Sequence, residues 1–272
     1  MKLAINQATL MKTSMNSFLE AISSAGFEGV ELRRDETFLY LKTHSIENLN
    51  QLLIKNNLTC ITFNAVELFS LCTEKEFEKI LEYTERLMGI GNLIGCDTII
   101  TVPSFLDDPF MSEQDIIRKT VERLKKLAHL AENYDFKLGF EPLGFPNCSV
   151  RKLDMALKIL ENENLSDMGL IIDTFHYFVG EHSLHDLDTI EIEKLWLIHI
   201  NDAIEKPFKE LQDSNRVLPC QGFFNLEGFF SKLKSIGYDK WISLELFNEQ
   251  LWQENPYEVA KNSIDSLKKF VN

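Results

Sequence analysis

The chain has 272 residues, 44% of them hydrophobic and 26% charged, ordinary globular proportions that supply enough apolar surface for a large core. Its formal net charge of -14 repels phosphate backbones and anionic surfaces, so nucleic acid is not an expected partner. The first residues, MKLAINQATL, are too short an apolar run for a signal peptide, and polar residues interrupt every later run before membrane-spanning length. A cytoplasmic protein with no membrane partner is expected.

In chain order, short β-rich apolar runs alternate with longer stretches of helical periodicity, the pattern of parallel strands joined by helical crossovers. The predicted strands are Lys2 to Asn6, Gly29 to Arg33, Leu58 to Asn64, Thr98 to Val102, Lys137 to Glu141, Gly169 to Asp173, Leu195 to Ile200 and Trp241 to Leu246. Between them, Glu74 to Ile94 and Ser112 to Tyr134 carry apolar residues at helical spacing. Gly26 and Gly95 mark helix ends, while Ser149 and Pro256 stand where helices should start. The segment Asp202 to Gln221 lacks periodicity and reads as a loop over one end of the fold. No linker or repeat divides the chain, so one domain over residues 1–272 is expected.

Eight such units close into a (β/α)8 TIM barrel or open into a doubly wound sheet. No glycine-rich phosphate loop follows any strand, which removes the nucleotide-binding versions of the open sheet and favours the barrel. The cysteines, Cys60, Cys72, Cys96, Cys148 and Cys220, are odd in number and form no C-x-x-C pair, so reduced thiols are expected.

The last four strands, KLGFE, GLIID, LWLIHIND and WISLEL, each reach a metal-competent residue at the C-terminal end: Glu141, Asp173, His199 and Glu245. In a barrel that end carries the active site, and alternation along each strand lets all four point at one centre. Three carboxylates and an imidazole that close repel one another unless a cation sits among them, which implies a divalent metal. This oxygen and nitrogen set suits manganese or zinc first, with cobalt or magnesium also compatible. His176, three residues past Asp173 in DTFH, is a candidate for binding a substrate oxygen or a carboxylate. Arg216, in RVLPCQG, is a candidate for an oxyanion or a substrate hydroxyl. Asp202 is a candidate for orienting a ligand, and Glu31 with Arg33 for an ion pair beneath the site. His182 and His185 read as surface residues.

Taken together, INQAT, VELR, LTCITFNA, FEPLGFPNC, DTFH, IHIND, RVLPCQG and SLELF give a chain that resembles the sugar isomerase/epimerase group of xylose isomerase-like barrels. Within that group it is most similar to the inosose (2-keto-myo-inositol) isomerases of inositol catabolism, over nearly its whole length. The resemblance implies that Glu141, Asp173, His199 and Glu245 hold the metal and that His176 and Arg216 contact the oxygens of a ketose or inosose substrate. It also implies a reaction in which a carbonyl moves by proton transfer through an enediolate, with Glu141 and Glu245 as the acid/base pair. Cys220 departs from the family, which commonly has glycine there.

A ketose 3-epimerase would use the same residues. An endonuclease IV-like phosphodiesterase, which uses three zinc ions, would need further histidines at earlier strand ends, where this chain has ELR, TFN and TVP. A barrel that binds without turnover is the remaining alternative. The stretch FNEQLWQENPY after the last strand is open to packing on a partner subunit, as in a homo-oligomer, or on the barrel itself.

Overall fold

The computed structural model describes residues 1–271. Eight parallel strands form a closed barrel: β1 (Lys2–Asn6), β2 (Gly29–Arg33), β3 (Thr59–Glu67), β4 (Thr98–Val102), β5 (Lys137–Phe140), β6 (Gly169–Asp173), β7 (Leu195–Ile200) and β10 (Trp241–Leu244). They pair in the cyclic order β1, β10, β7, β6, β5, β4, β3, β2. Two short strands, β8 (Asp202–Ala203) and β9 (Arg216–Val217), make a separate antiparallel ribbon. The connecting helices are α1 (Met15–Ala25), α2 (Arg34–Tyr40), α3 (Ile46–Lys55), α4 (Glu74–Ile94), α5 (Glu113–Glu132), α6 (Leu153–Leu160), α7 (Thr174–Val179), α8 (Leu226–Ser235) and α9 (Pro256–Val271).

Local chemistry fixes the helix ends. Thr73 and Glu76 form a reciprocal capping box that starts α4, and the Ser112 hydroxyl accepts the Asp115 N–H at the start of α5. Gly26 (φ 102°) and Gly95 (φ 74°) close α1 and α4 in the left-handed conformation that glycine adopts without a side-chain clash. The apolar helix faces bury Phe18, Leu19, Phe77, Leu87, Leu124 and Leu127 against the outer side of the sheet, forming one large cluster. A smaller cluster, with Ile100, Ile171 and Leu197, lies inside the barrel.

The expected barrel is therefore observed, with four adjustments of boundary. β3 continues to Glu67 because Ala65 and Val66 keep burying apolar surface beyond Asn64. β5 and β10 end one and two residues earlier than expected, leaving Glu141 and Glu245 as the first residues past Phe140 and Leu244. Pro256 opens α9 as expected, whereas α6 begins at Leu153, beyond Ser149. The segment after β7 is partly ordered by the ribbon, which pairs Ala203 with Arg216.

FNEQLWQENPY packs on its own barrel, where the Trp252 indole N–H donates to the Ala8 carbonyl at 2.8 Å. All five cysteines are free thiols. Among the described residues no helix is long and apolar enough to cross a membrane.

Candidate metal centre

The C-terminal strand ends bring four side chains together. Glu141, Asp173, His199 and Glu245 each offer one ligand atom, and these atoms all lie within 4.8 Å of one another in buried positions. Parallel register explains part of the convergence: Asp173 on β6 stands beside His199 on β7, and His199 stands beside Ser243 on β10, two residues before Glu245. His199 Nδ1 lies 2.8 Å from Glu141 Oε1 and 3.5 Å from Glu245 Oε2.

Amide and guanidinium donors hold the carboxylates in place. Asn6 and Asn64 both donate to Glu245 Oε1, at 3.0 and 3.2 Å. Asn201 Nδ2 donates to Asp173 Oδ2 at 2.8 Å, and the His176 backbone N–H donates to Asp173 Oδ1 at 3.0 Å. Asp173 is thus also the N-cap of α7, so the helix that carries His176 is anchored on a residue of the cluster.

Arg216 lies at the centre of the charge balance, 1% exposed. Its Nη1 donates to Asp173 Oδ2 at 2.7 Å and to Glu245 Oε2 at 3.1 Å. Its Nε and Nη2 donate to Asp213 at 3.0 and 2.6 Å, and Nη2 lies 3.1 Å from His176 Nε2. The guanidinium also stacks 4.8 Å from the Phe175 ring and 5.2 Å from the Phe247 ring. Arginine has no acceptor, so His176 Nε2 must accept from it, which leaves the ring proton on Nδ1. That Nδ1 is buried without a partner, and the ring lines the cavity described below. Burial, reinforced by Arg216, holds the His176 pKa below its ordinary value, in keeping with a neutral imidazole that offers a donor.

The cluster is crowded with negative charge. Burial, together with Glu141 and Asp173, pushes the Glu245 carboxyl up to about 8. Burial opposes charge on His199 as well, yet the facing Glu31, Glu141 and Glu245 carboxylates raise it well above the usual imidazole range.

The donor set fits a divalent ion: three carboxylates and one imidazole are hard to borderline ligands. Bonds of ~2.0–2.2 Å place two ligands of one ion at most about 4.4 Å apart, so the most separated pair needs to close by only a few tenths of an ångström.

A cavity of about 260 Å³ opens directly on this cluster, lined by Glu141, His176, Arg216 and Glu245, by Arg33, Asn64 and Glu67, and by Phe105, Phe145 and Phe247. It lies below the ~300–1,000 Å³ range of pockets for drug-sized ligands, a size suited to a monosaccharide. A larger cavity, about 650 Å³, lies at the opposite end of the barrel among Lys2, Lys137, Lys240, Trp196 and Trp241.

All six candidate residues, Glu141, Asp173, His176, His199, Arg216 and Glu245, thus meet at one end of the barrel. Three other expectations are corrected. Glu31 and Arg33 share a face of β2 but do not pair with each other, because Arg33, at the strand's last residue, meets partners on β3 while Glu31 lies deeper against His199. Arg33 bonds Asn64 and Glu67, whereas both Glu31 oxygens lie 3.1 Å from His199 Nε2. Asp202 does not orient a ligand; its carboxylate accepts the backbone N–H groups of Ala203, Cys220, Gly222 and Phe224 and so ties the loop around the ribbon. His185 is exposed as expected, but His182 is largely covered, stacking on Tyr177 and facing Asp186. The supporting amides Asn6, Asn64 and Asn201 were not anticipated, although Asn201 follows His199 by two residues in IHIND and so shares its side of the strand.

Similar proteins agree with this geometry. An inosose isomerase of Bacillus licheniformis is 30% identical over 274 residues, covering 100% of this chain and 98% of that protein. One from Halalkalibacterium halodurans is 28% identical and covers 100% of this chain and 97% of its own. A crystal structure of an IolI protein with a bound zinc atom superposes with a TM-score of 0.94 at 27% identity, covering 100% of this chain and 98% of that one. The family described as xylose isomerase-like TIM barrel matches residues 19–270. By that match, and by the closed barrel with its acidic and imidazole cluster, the chain belongs to the xylose isomerase-like TIM barrel family.

Proposed function

We propose that this protein is a divalent-metal-dependent isomerase that moves a carbonyl within an inosose or a related sugar. The observation that carries the reading is the convergence of Glu141, Asp173, His199 and Glu245 within 4.8 Å beside a monosaccharide-sized cavity. The full-length similarity to inosose isomerases and to a zinc-containing barrel supports it. Zinc is the favoured ion and manganese the next.

When bound, the cation supplies Lewis acidity toward a carbonyl oxygen and its neighbouring hydroxyl. The protein's own groups do the rest. Glu141 and Glu245 form the proton-transfer pair: one carboxylate removes the proton from the carbon that bears the hydroxyl, the other acid returns a proton at the former carbonyl carbon, and the hydroxyl proton passes to the former carbonyl oxygen. His176 donates through Nδ1–H to the substrate oxygen on which negative charge develops. Arg216 fixes the tautomer of that histidine and adds positive charge beside it. Phe105, Phe145 and Phe247 cover the cavity, excluding water and offering flat surfaces to the C–H faces of a ring. Inversion at one carbon by the same pair, as in a ketose 3-epimerase, differs only in where the proton returns.

The test is to incubate zinc-loaded protein with 2-keto-myo-inositol in deuterated water and follow the mixture by NMR, with Glu141→Gln as control. An isomeric inosose carrying deuterium beside its carbonyl, absent with the variant, is the expected result. Exchange with a ketose panel but not with the inosose would move the substrate class, and no exchange with either would refute the isomerase.

A further inference from the structure

We propose that Glu31 is a positioning residue of the metal centre, its buried carboxylate taking the Nε2–H of His199 and so turning the Nδ1 lone pair toward Glu141 and Glu245. This rests on the reading of His199 as a ligand.

β2 reads GVELR, and its first four residues are buried. A carboxylate within such a run is costly unless something inside the barrel pairs with it. Glu31 is 0% exposed and meets His199 across the lumen, with both oxygens 3.1 Å from Nε2. Thr62, its register partner on β3, donates to Oε2 at 2.7 Å and fixes the carboxylate orientation.

The opposite edge of the imidazole faces the cluster, with Nδ1 2.8 Å from Glu141. The ring therefore stands between Glu31 and the other carboxylates, which places Glu31 outside the set of ligand atoms that share one centre.

A neutral imidazole carries its single proton on either nitrogen. An acceptor on Nε2 selects the tautomer in which Nδ1 is free to bind a cation, and it also raises the basicity of that nitrogen. Without Glu31, part of the population would turn an N–H toward Glu141 and Glu245, and the ring would lose its orienting contact.

Zinc affinity, measured by competition with a chromophoric chelator, tests the role without recourse to turnover. Glu31→Gln keeps the shape and one acceptor oxygen but removes the charge, and is expected to bind zinc about 10-fold more weakly than the native protein. Glu31→Leu removes the acceptor altogether, and its loss should approach ~100-fold. The visible bands of the cobalt-substituted protein should change in the same order. Should Glu31→Leu fold poorly, the isosteric Gln variant carries the test.

Affinities within about twofold of native in the Gln variant, with an unchanged cobalt spectrum, would overturn the proposal. In that case Glu141→Gln, which removes a ligand, would still show a large loss if the centre itself is correctly placed. A native protein that binds no zinc or cobalt would overturn both the centre and the role of Glu31.

Discussion

Replacing Arg216 with methionine separates the charge balance of the site from its metal binding. The variant keeps most of the aliphatic stem between Phe175 and Phe247 but removes the guanidinium that pairs Asp173, Glu245 and Asp213. Breaking a buried pair by deleting one partner costs about 3–5 kcal/mol, because the remaining charges stay buried and uncompensated. At roughly 2–4 °C per kcal/mol for a chain of this size, metal-free Arg216→Met should melt about 6–20 °C below the native protein. Zinc should narrow the gap, since a bound cation compensates the same Asp173 and Glu245 oxygens that Arg216 does. The zinc-induced rise in melting temperature is therefore larger in the variant than in the native chain, even though turnover is lost with the support of His176. Circular dichroism melts in chelator and in zinc measure both differences. A metal-free variant that melts within about 2 °C of native, or one that zinc stabilises less than native, would refute this picture of charge.

Three further outcomes are expected. Glu245→Gln should lose about 10²–10⁴ in turnover, the usual worth of general acid/base catalysis, and full turnover in a zinc-loaded variant would show that Glu245 moves no proton. Gly144→Ala would place a Cβ 2.2 Å from the His176 carbonyl oxygen and 2.6 Å from the Gly180 nitrogen, both backbone atoms, so α7 must shift and carry His176 with it. Turnover should fall by up to ~100-fold, the effect of misplacing a reacting group by about 1 Å, while metal analysis still finds the native zinc content. Cys220 sits at φ 70° in the left-handed region, exposed and held by its N–H to Asp202. Left-handed geometry costs a non-glycine residue about 1–2 kcal/mol, partly offset by the greater unfolded-state freedom of glycine. Cys220→Gly should thus raise the midpoint of denaturant unfolding by an amount worth ~0.5–1 kcal/mol, and a lowered midpoint would show that the thiol makes a contact worth more than the strain.

The barrel and its four converging residues were legible in the sequence because both depend on local patterns: apolar runs of strand length, and a metal-competent residue at the end of each of four consecutive runs. The departure at Cys220 was legible too, and the structure gives it a physical basis in the positive φ that glycine would adopt freely.

What escaped depends on contacts across the barrel. Periodicity says that Glu31 faces inward or outward, but not what it meets, and β1 and β10 stand between β2 and β7 in the sheet. A charge inside the buried run VEL is nonetheless a signal that a partner waits within. Arg216 shows the same limit. Its position in a loop of mixed charge suggested a group reaching for substrate. Folding also surrounds it with Asp173, Asp213, His176 and Glu245 at the wall of the cavity, contacts that the loop's own sequence does not reveal. The extension of β3 to Glu67 was hidden because polar Asn64, which donates to Glu245, looks from sequence like the end of the strand.

Native mass spectrometry of the chain equilibrated with zinc, alongside His199→Ala, tests most directly whether Glu141, Asp173, His199 and Glu245 share one cation. One zinc ion per native chain, absent from the variant, is the expected result. No bound zinc, three zinc ions per chain, or a single ion that survives the loss of His199 would contradict it.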